Sequence, residues 1–128
     1  MPRHFLSLAD YSPEQLRSLL ELAAQVKLNP RAFSDACSGQ TLAMIFQKPS
    51  LRTRVSFQTG IFQLGGTGLY LGPTDIQLHR GETIADTAKV LSRYVDGVMA
   101  RVFAHSDVVD LGAHASIPVI NGLSDLLH

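Results

Sequence analysis

Four short apolar runs, Thr41 to Phe46, Gly68 to Leu71, Gly97 to Phe103 and Ile117 to Ile120, limit the folds open to this chain. Each is shorter than an ordinary helix and is bounded by turn or polar residues, which is how strands buried in a sheet read. Helical patterns alternate with them. Ser12-Pro13-Glu14-Gln15 combines a cap residue, a Pro at the first helical position and a Gln three residues after the Ser. Leu16, Leu19, Leu20, Ala23 and Val26 follow at helical spacing, and Asn29-Pro30 ends the run. Leu51 to Leu64 reads as a helix stopped by Gly65-Gly66, and Glu82 to Val95 sets Ile84, Ala88, Leu91 and Val95 on one face. Ser106 to His114 is a short helix. Alternation of this kind predicts an α/β fold, a four-stranded parallel sheet flanked by helices on both faces.

In such sheets ligands bind beyond the carboxyl ends of the strands. Phe46 leads into Gln-Lys-Pro-Ser-Leu-Arg-Thr-Arg, Met99 leads into Arg101, and Ile120 leads into the segment before His128. Three separated segments therefore converge on one edge. The first of them has the chemistry of an anion site. The opening N–H groups of a helix lack intrahelical partners and carry the positive end of its dipole. An anion at the turn after Phe46 would meet those donors together with the hydroxyls of Ser50 and Thr53 and the guanidinium of Arg52. Plainer roles are open to the same residues. Ser50 is a good helix cap without any ligand, and Arg52 and Arg54 could be surface ion-pair partners of Glu82 or Asp86. Arg101 lies in an apolar strand pattern, where an unpaired charge is costly.

The wording of four segments goes further than this. Pro49-Ser50-Leu51-Arg52-Thr53-Arg54 resembles the Ser-Thr-Arg-Thr-Arg carbamoyl phosphate motif of the transcarbamoylases. Gln77 to Thr87, Met99 to Val102 and Pro118 to His128 resemble further segments of the same family, in the same order and closest to its ornithine-specific members. The resemblance implies carbamoyl transfer to the side-chain amine of ornithine, giving citrulline and phosphate, with no cofactor and no metal. It implies that Ser50, Leu51, Arg52 and Thr53 grip the phosphate, partly through backbone N–H groups. Arg101 is then expected to bridge phosphate and carbonyl oxygens, and His128 to donate to the carbonyl oxygen. Arg54 would brace the turn or an interdomain hinge. Gln77 would reach the site of a neighbouring subunit, which implies a homotrimer or a higher assembly. Two departures stand out. Leu51 replaces the usual Thr, and His79 stands where relatives carry Gly.

The resemblance also implies a two-domain protein. Residues 1–128 correspond to its carbamoyl phosphate-binding domain, incomplete at the C-terminal end, with the ornithine-binding domain outside this sequence. The family continues with Pro-x-Gln after the position of His128, and its C-terminal helix packs back on this domain. An exposed apolar patch, and hence association, is expected without it.

Composition excludes other classes. Eleven basic and eleven acidic residues cancel, so no global field draws the chain to nucleic acid or membrane. No stretch approaches the length of a membrane span, and the N-terminus does not read as a signal peptide. The single Cys37 allows no disulfide within the chain, and the five His residues do not cluster with Cys or carboxylates. A cytoplasmic protein is expected. Gly65-Gly66-Thr67-Gly68 follows a helix and precedes a strand, the reverse of a dinucleotide loop. The remaining rivals are a non-catalytic phosphometabolite-binding fragment, a transferase for aspartate or an acylated ornithine, and a polyanion binder built on Lys48, Arg52 and Arg54. The last lacks interleaved aromatics and net positive charge.

Overall fold

The computed structural model describes residues 3–76, 78 and 82–127. Gln77, His79 and His128 lie outside the described residues. The sheet holds four parallel strands, β1 (Thr41–Phe46), β2 (Thr67–Leu71), β3 (Gly97–Arg101) and β4 (Val119–Leu123), in the order β2-β1-β3-β4. The helices are α1 (Pro13–Leu28), α2 (Leu51–Gln63), α3 (Ile84–Tyr94) and α4 (His105–His114).

Side-chain alternation along the strands divides the core between the two faces. Ala43 and Ile45 of β1 with Val98 and Ala100 of β3 pack against Ile84, Ala88 and Leu91 of α3 and Val108 and Leu111 of α4. Met44, Phe46 and Met99 take the other face, against Phe57 of α2, Tyr70 and Ile120. The expected sheet with helices on both faces is therefore what forms.

Local signals fix most element ends. Ser12 Oγ accepts from Gln15 N at 3.1 Å while Gln15 Oε1 accepts from Ser12 N at 2.9 Å, closing the capping box that starts α1. Gly65 adopts φ +93° behind α2, a conformation that costs a glycine little. The start of α3 is later than expected, at Ile84, because Thr83 is its cap and accepts from Asp86 N at 3.0 Å.

Two strands differ from the sequence-based reading. β3 ends at Arg101 rather than Phe103, since the register shifts between Ala100 and Arg101 and Val102 N donates outside the regular ladder, to Leu123 O at 3.1 Å. β4 runs from Val119 to Leu123 rather than from Ile117 to Ile120. Pro118 has no N–H for the ladder and contributes its carbonyl to Val98 N instead. At the other end the strand continues because the buried Asn121 finds partners for its amide, and because Gly122 leaves room for Met99. A Cβ on Gly122 would stand 2.5 Å from Met99 Sδ.

The N-terminal segment closes the edge beyond β4. Phe5 N donates to Val119 O and Asn121 N donates to Phe5 O, each at 2.8 Å, so residue 5 extends the sheet by one bridge. α1 forms where expected, but its apolar stripe is not covered. None of its residues is buried, and Leu20 is 72% exposed.

Candidate functional site

The site begins where β1 stops. Phe46 is buried, and Gln47 to Pro49 carry the chain to Ser50, the N-cap of α2. Ser50 Oγ accepts from Thr53 N at 3.4 Å, a long capping bond. The same oxygen accepts from Arg101 Nη1 at 2.9 Å. Thr53 Oγ1 accepts from that nitrogen at 2.8 Å. Ser50 is thus a cap and also a ligand of a cation. As the first two residues of the helix, Leu51 and Arg52 have N–H groups that the helix leaves unpaired.

Sheet register brings Arg101 there. Phe46 and Arg101 are partners across β1 and β3, so the guanidinium stands beside the turn that follows Phe46. Arg101 is half-buried, and its Nε is buried with no hydrogen-bond partner among the described residues. Among the described residues the partners of this half-buried cation are two neutral hydroxyls, and an anion would supply the counter-charge they do not.

Arg52 and Thr53 line a cleft of about 530 Å³, in the range of small-molecule sites. Its other walls are Ser56 and Phe57 of α2, Phe5, and Ile120, Asn121 and Gly122 of β4. Arg54 does not join this lining. Its Cζ lies 3.6 Å from the centroid of the Tyr70 ring, which in turn stacks on Phe46 at 5.5 Å. Sequence reasoning had Arg54 as a brace, and the stack gives that brace a partner.

The structure therefore brings together Ser50, Leu51, Arg52, Thr53 and Arg101 from two strand ends. Gln77 and His128, the remaining site residues read from the sequence, lie outside the described residues. Among the described residues no group of His, Cys, Asp and Glu could hold a metal ion.

Some of the residues that build this edge were not foreseen. Gln47 Oε1 accepts from Phe103 N at 2.8 Å, and Gln47 N donates to Arg101 O at 2.9 Å, which ties the loops after β1 and β3. Asn121 Nδ2 donates to Leu6 O at 3.1 Å and to Leu127 O at 3.3 Å, while its Oδ1 accepts from Leu123 N at 3.0 Å. Leu123 sits at φ +139°, a strained backbone for a residue with a side chain. A polar residue continuing the apolar run Val119-Ile120 was the one visible hint of this clamp.

Comparison with known proteins agrees with the motif-based resemblance. A family model described as aspartate/ornithine carbamoyltransferase, carbamoyl-P binding domain, matches residues 3–128. The chain belongs to that family. Among carbamoyltransferases, the ornithine carbamoyltransferase of Thermococcus kodakarensis is 59% identical over 98% of this chain and 41% of its own length. That of Pyrococcus furiosus, called anabolic, is 56% identical over 98% of this chain and 41% of its own length. A solved structure of the Pyrococcus furiosus ornithine carbamoyltransferase superimposes with a TM-score of 0.92, covering 95% of this chain and 40% of that one. The chain thus spans about two-fifths of the carbamoyltransferases it matches.

Proposed function

We propose that this chain supplies the carbamoyl phosphate half-site of an ornithine carbamoyltransferase. The observation that carries the reading is the Arg101 guanidinium, donating to Ser50 and Thr53 beside a helix N-terminus, with its buried Nε unpartnered among the described residues. In the proposed reaction the side-chain amine of ornithine attacks the carbamoyl carbon. The new C–N bond forms, a tetrahedral oxyanion develops, the C–O bond to phosphate breaks, and the amine gives up a proton. Citrulline and phosphate result. No covalent intermediate on the protein is needed, so positioning and fixed charge supply the catalysis.

Ser50, Arg52, Thr53 and the N–H groups of Leu51 and Arg52 hold the phosphate in this reading. Arg101 spans phosphate and carbonyl oxygens, so its attraction grows as charge develops on the carbonyl oxygen. His128 donates to the same oxygen. Gln77 comes from the neighbouring subunit of a homotrimer, an assignment that rests on the wording of the Gln77 to Thr87 segment. Ornithine as the acceptor, and a biosynthetic direction, rest on the names of the relatives. A single Cys and balanced charge suit a cytoplasmic setting.

Calorimetric titration of carbamoyl phosphate into the chain, beside the Arg52→Ala variant, tests the half-site. Binding that weakens by about 2–4 kcal/mol in the variant is expected for loss of a strong charged contact. Equal binding by both chains would take Arg52 out of the site, and no binding by either folded chain would remove the half-site as a preformed unit.

A further inference from the structure

The turn that leads from β4 to His128 has little apolar anchorage. Asp125 is exposed and Leu126 is 72% exposed. Polar bonds hold it in place. Ser124, 5% exposed, is their centre. Its N–H donates to Leu127 O at 2.8 Å, and its Oγ lies 3.0 Å from Leu127 O and 3.1 Å from the Leu127 N–H, which donates to it. These bonds are internal to the turn. Among the described residues the one partner of Ser124 Oγ from outside it is His105 Nδ1, at 2.9 Å.

His105 is the first residue of α4, a helix whose N-cap position, Ala104, offers no capping side chain. Asp125 caps it from a distance, since its Oδ1 accepts from His105 N at 2.8 Å. Asp125 N in turn donates to Phe103 O at 2.7 Å. The 124–127 turn and the β3–α4 junction therefore hold each other, with the His105 ring and the Asp125 carboxylate as the side-chain links. None of these bonds touches Ser50, Arg52 or Thr53.

We infer that His105, acting through Ser124, is a positioning residue for the carbamoyl end of the ligand. It helps to fix the backbone as far as Leu127, together with Asn121 and Asp125, and thereby the point from which His128 departs. This deepens the half-site reading above and rests on it. A group held in hydrogen-bond register contributes only while its supporting atoms stay within a few tenths of an ångström. Loss of the ring removes the outside partner of Ser124 Oγ and loosens the turn, which Asp125 and Asn121 still tie, but leaves the phosphate grip on α2 intact.

The test compares carbamoyl phosphate with inorganic phosphate, each titrated calorimetrically into the wild-type chain and into His105→Ala, His105→Asn and Ser124→Ala. His105→Ala is expected to weaken carbamoyl phosphate about tenfold, the scale of one lost hydrogen bond, and to leave phosphate affinity unchanged. Ser124→Ala should reproduce that split. His105→Asn should restore carbamoyl phosphate binding, because the Asn amide can present an oxygen or an NH₂ group where Nδ1 stands. Equal weakening of both anions, or no rescue by Asn, would mean that His105 serves stability alone and would overturn the inference. A wild-type chain that prefers carbamoyl phosphate, with His105→Ala equally selective, would also overturn it while sparing the half-site. A wild-type chain that binds neither anion, or that shows no preference, would bring down the half-site reading and this inference together.

Discussion

Arg101 Nη1 stands 2.8 Å from Thr53 Oγ1, so the end of β3 and the first turn of α2 are joined across 48 residues of sequence. The hydroxyl acts only as an acceptor toward this nitrogen, since a guanidinium offers donors and no acceptor. Thr53→Val keeps the branched shape and removes the acceptor. We expect carbamoyl phosphate affinity to fall about tenfold, the scale of one lost charged hydrogen bond. In a double-mutant cycle with Arg101→Lys the two losses should be non-additive by about 1–2 kcal/mol. Strict additivity in calorimetry would mean that the pair does not act as a unit on the ligand.

Arg54 and Arg52 are two positions apart and should behave differently. Arg54 lies over Tyr70, and an exposed stack of this kind contributes about 0.5–1 kcal/mol. Arg54→Ala should lower stability in urea by that amount and change ligand affinity little. A tenfold loss of affinity in this variant would reassign Arg54 to the ligand.

Two glycines of the α2 region should respond to alanine with opposite signs. A Cβ on Gly60 would meet nothing within 4 Å, and the residue lies inside the helix. Gly60→Ala should therefore stabilise by about 0.5–1 kcal/mol through helix propensity and chain entropy. At Gly65 φ is +93° and a Cβ would stand 2.7 Å from the carbonyl oxygen of Ser34. Gly65→Ala should destabilise by about 2 kcal/mol or more. Thermal unfolding of the two variants side by side decides both.

α1 leaves Leu19, Leu20, Leu22 and Leu28 exposed, and a second apolar strip lies between α2 and the sheet, lined by Leu42, Phe57, Ile61, Leu64 and Ile120. The chain by itself should associate in a concentration-dependent way. Light scattering over a range of concentrations would show this, and a monodisperse monomer throughout would contradict it. Leu20→Glu should reduce the association without lowering the unfolding midpoint, since that side chain is 72% exposed within the chain.

Much of this architecture was legible locally. Ser12-Pro13 and Ser50 are caps whose side chains point to their own helices, and Thr41 to Phe46 is an unbroken apolar run between polar neighbours, so those ends were fixed without knowledge of the rest. The cluster of Ser50, Arg52, Thr53 and Arg101 followed from parallel strands placing their carboxyl ends together. What was not legible depends on distant partners. Nothing near Arg54 in sequence announces Tyr70, which meets it only because β2 pairs with β1 in one register. β4 was cut short because Asn121 reads as the end of an apolar run until Leu6, Leu123 and Leu127 are seen to satisfy its amide. The periodicity of α1 told which face is apolar but not that the face would stay open.

The pairing of Phe5 with Val119 and Asn121 also orders events at the ribosome. Phe5 has to wait for its partner, because the other side of its bridge is translated more than a hundred residues later. At ordinary speeds of synthesis that wait is roughly ten seconds. During it β1, β2 and β3 can assemble with α2 and α3, whereas the N-terminal segment, with the Phe5 wall of the cleft, has nowhere to dock. The Phe5 wall of the cleft therefore docks only after β4 has been made.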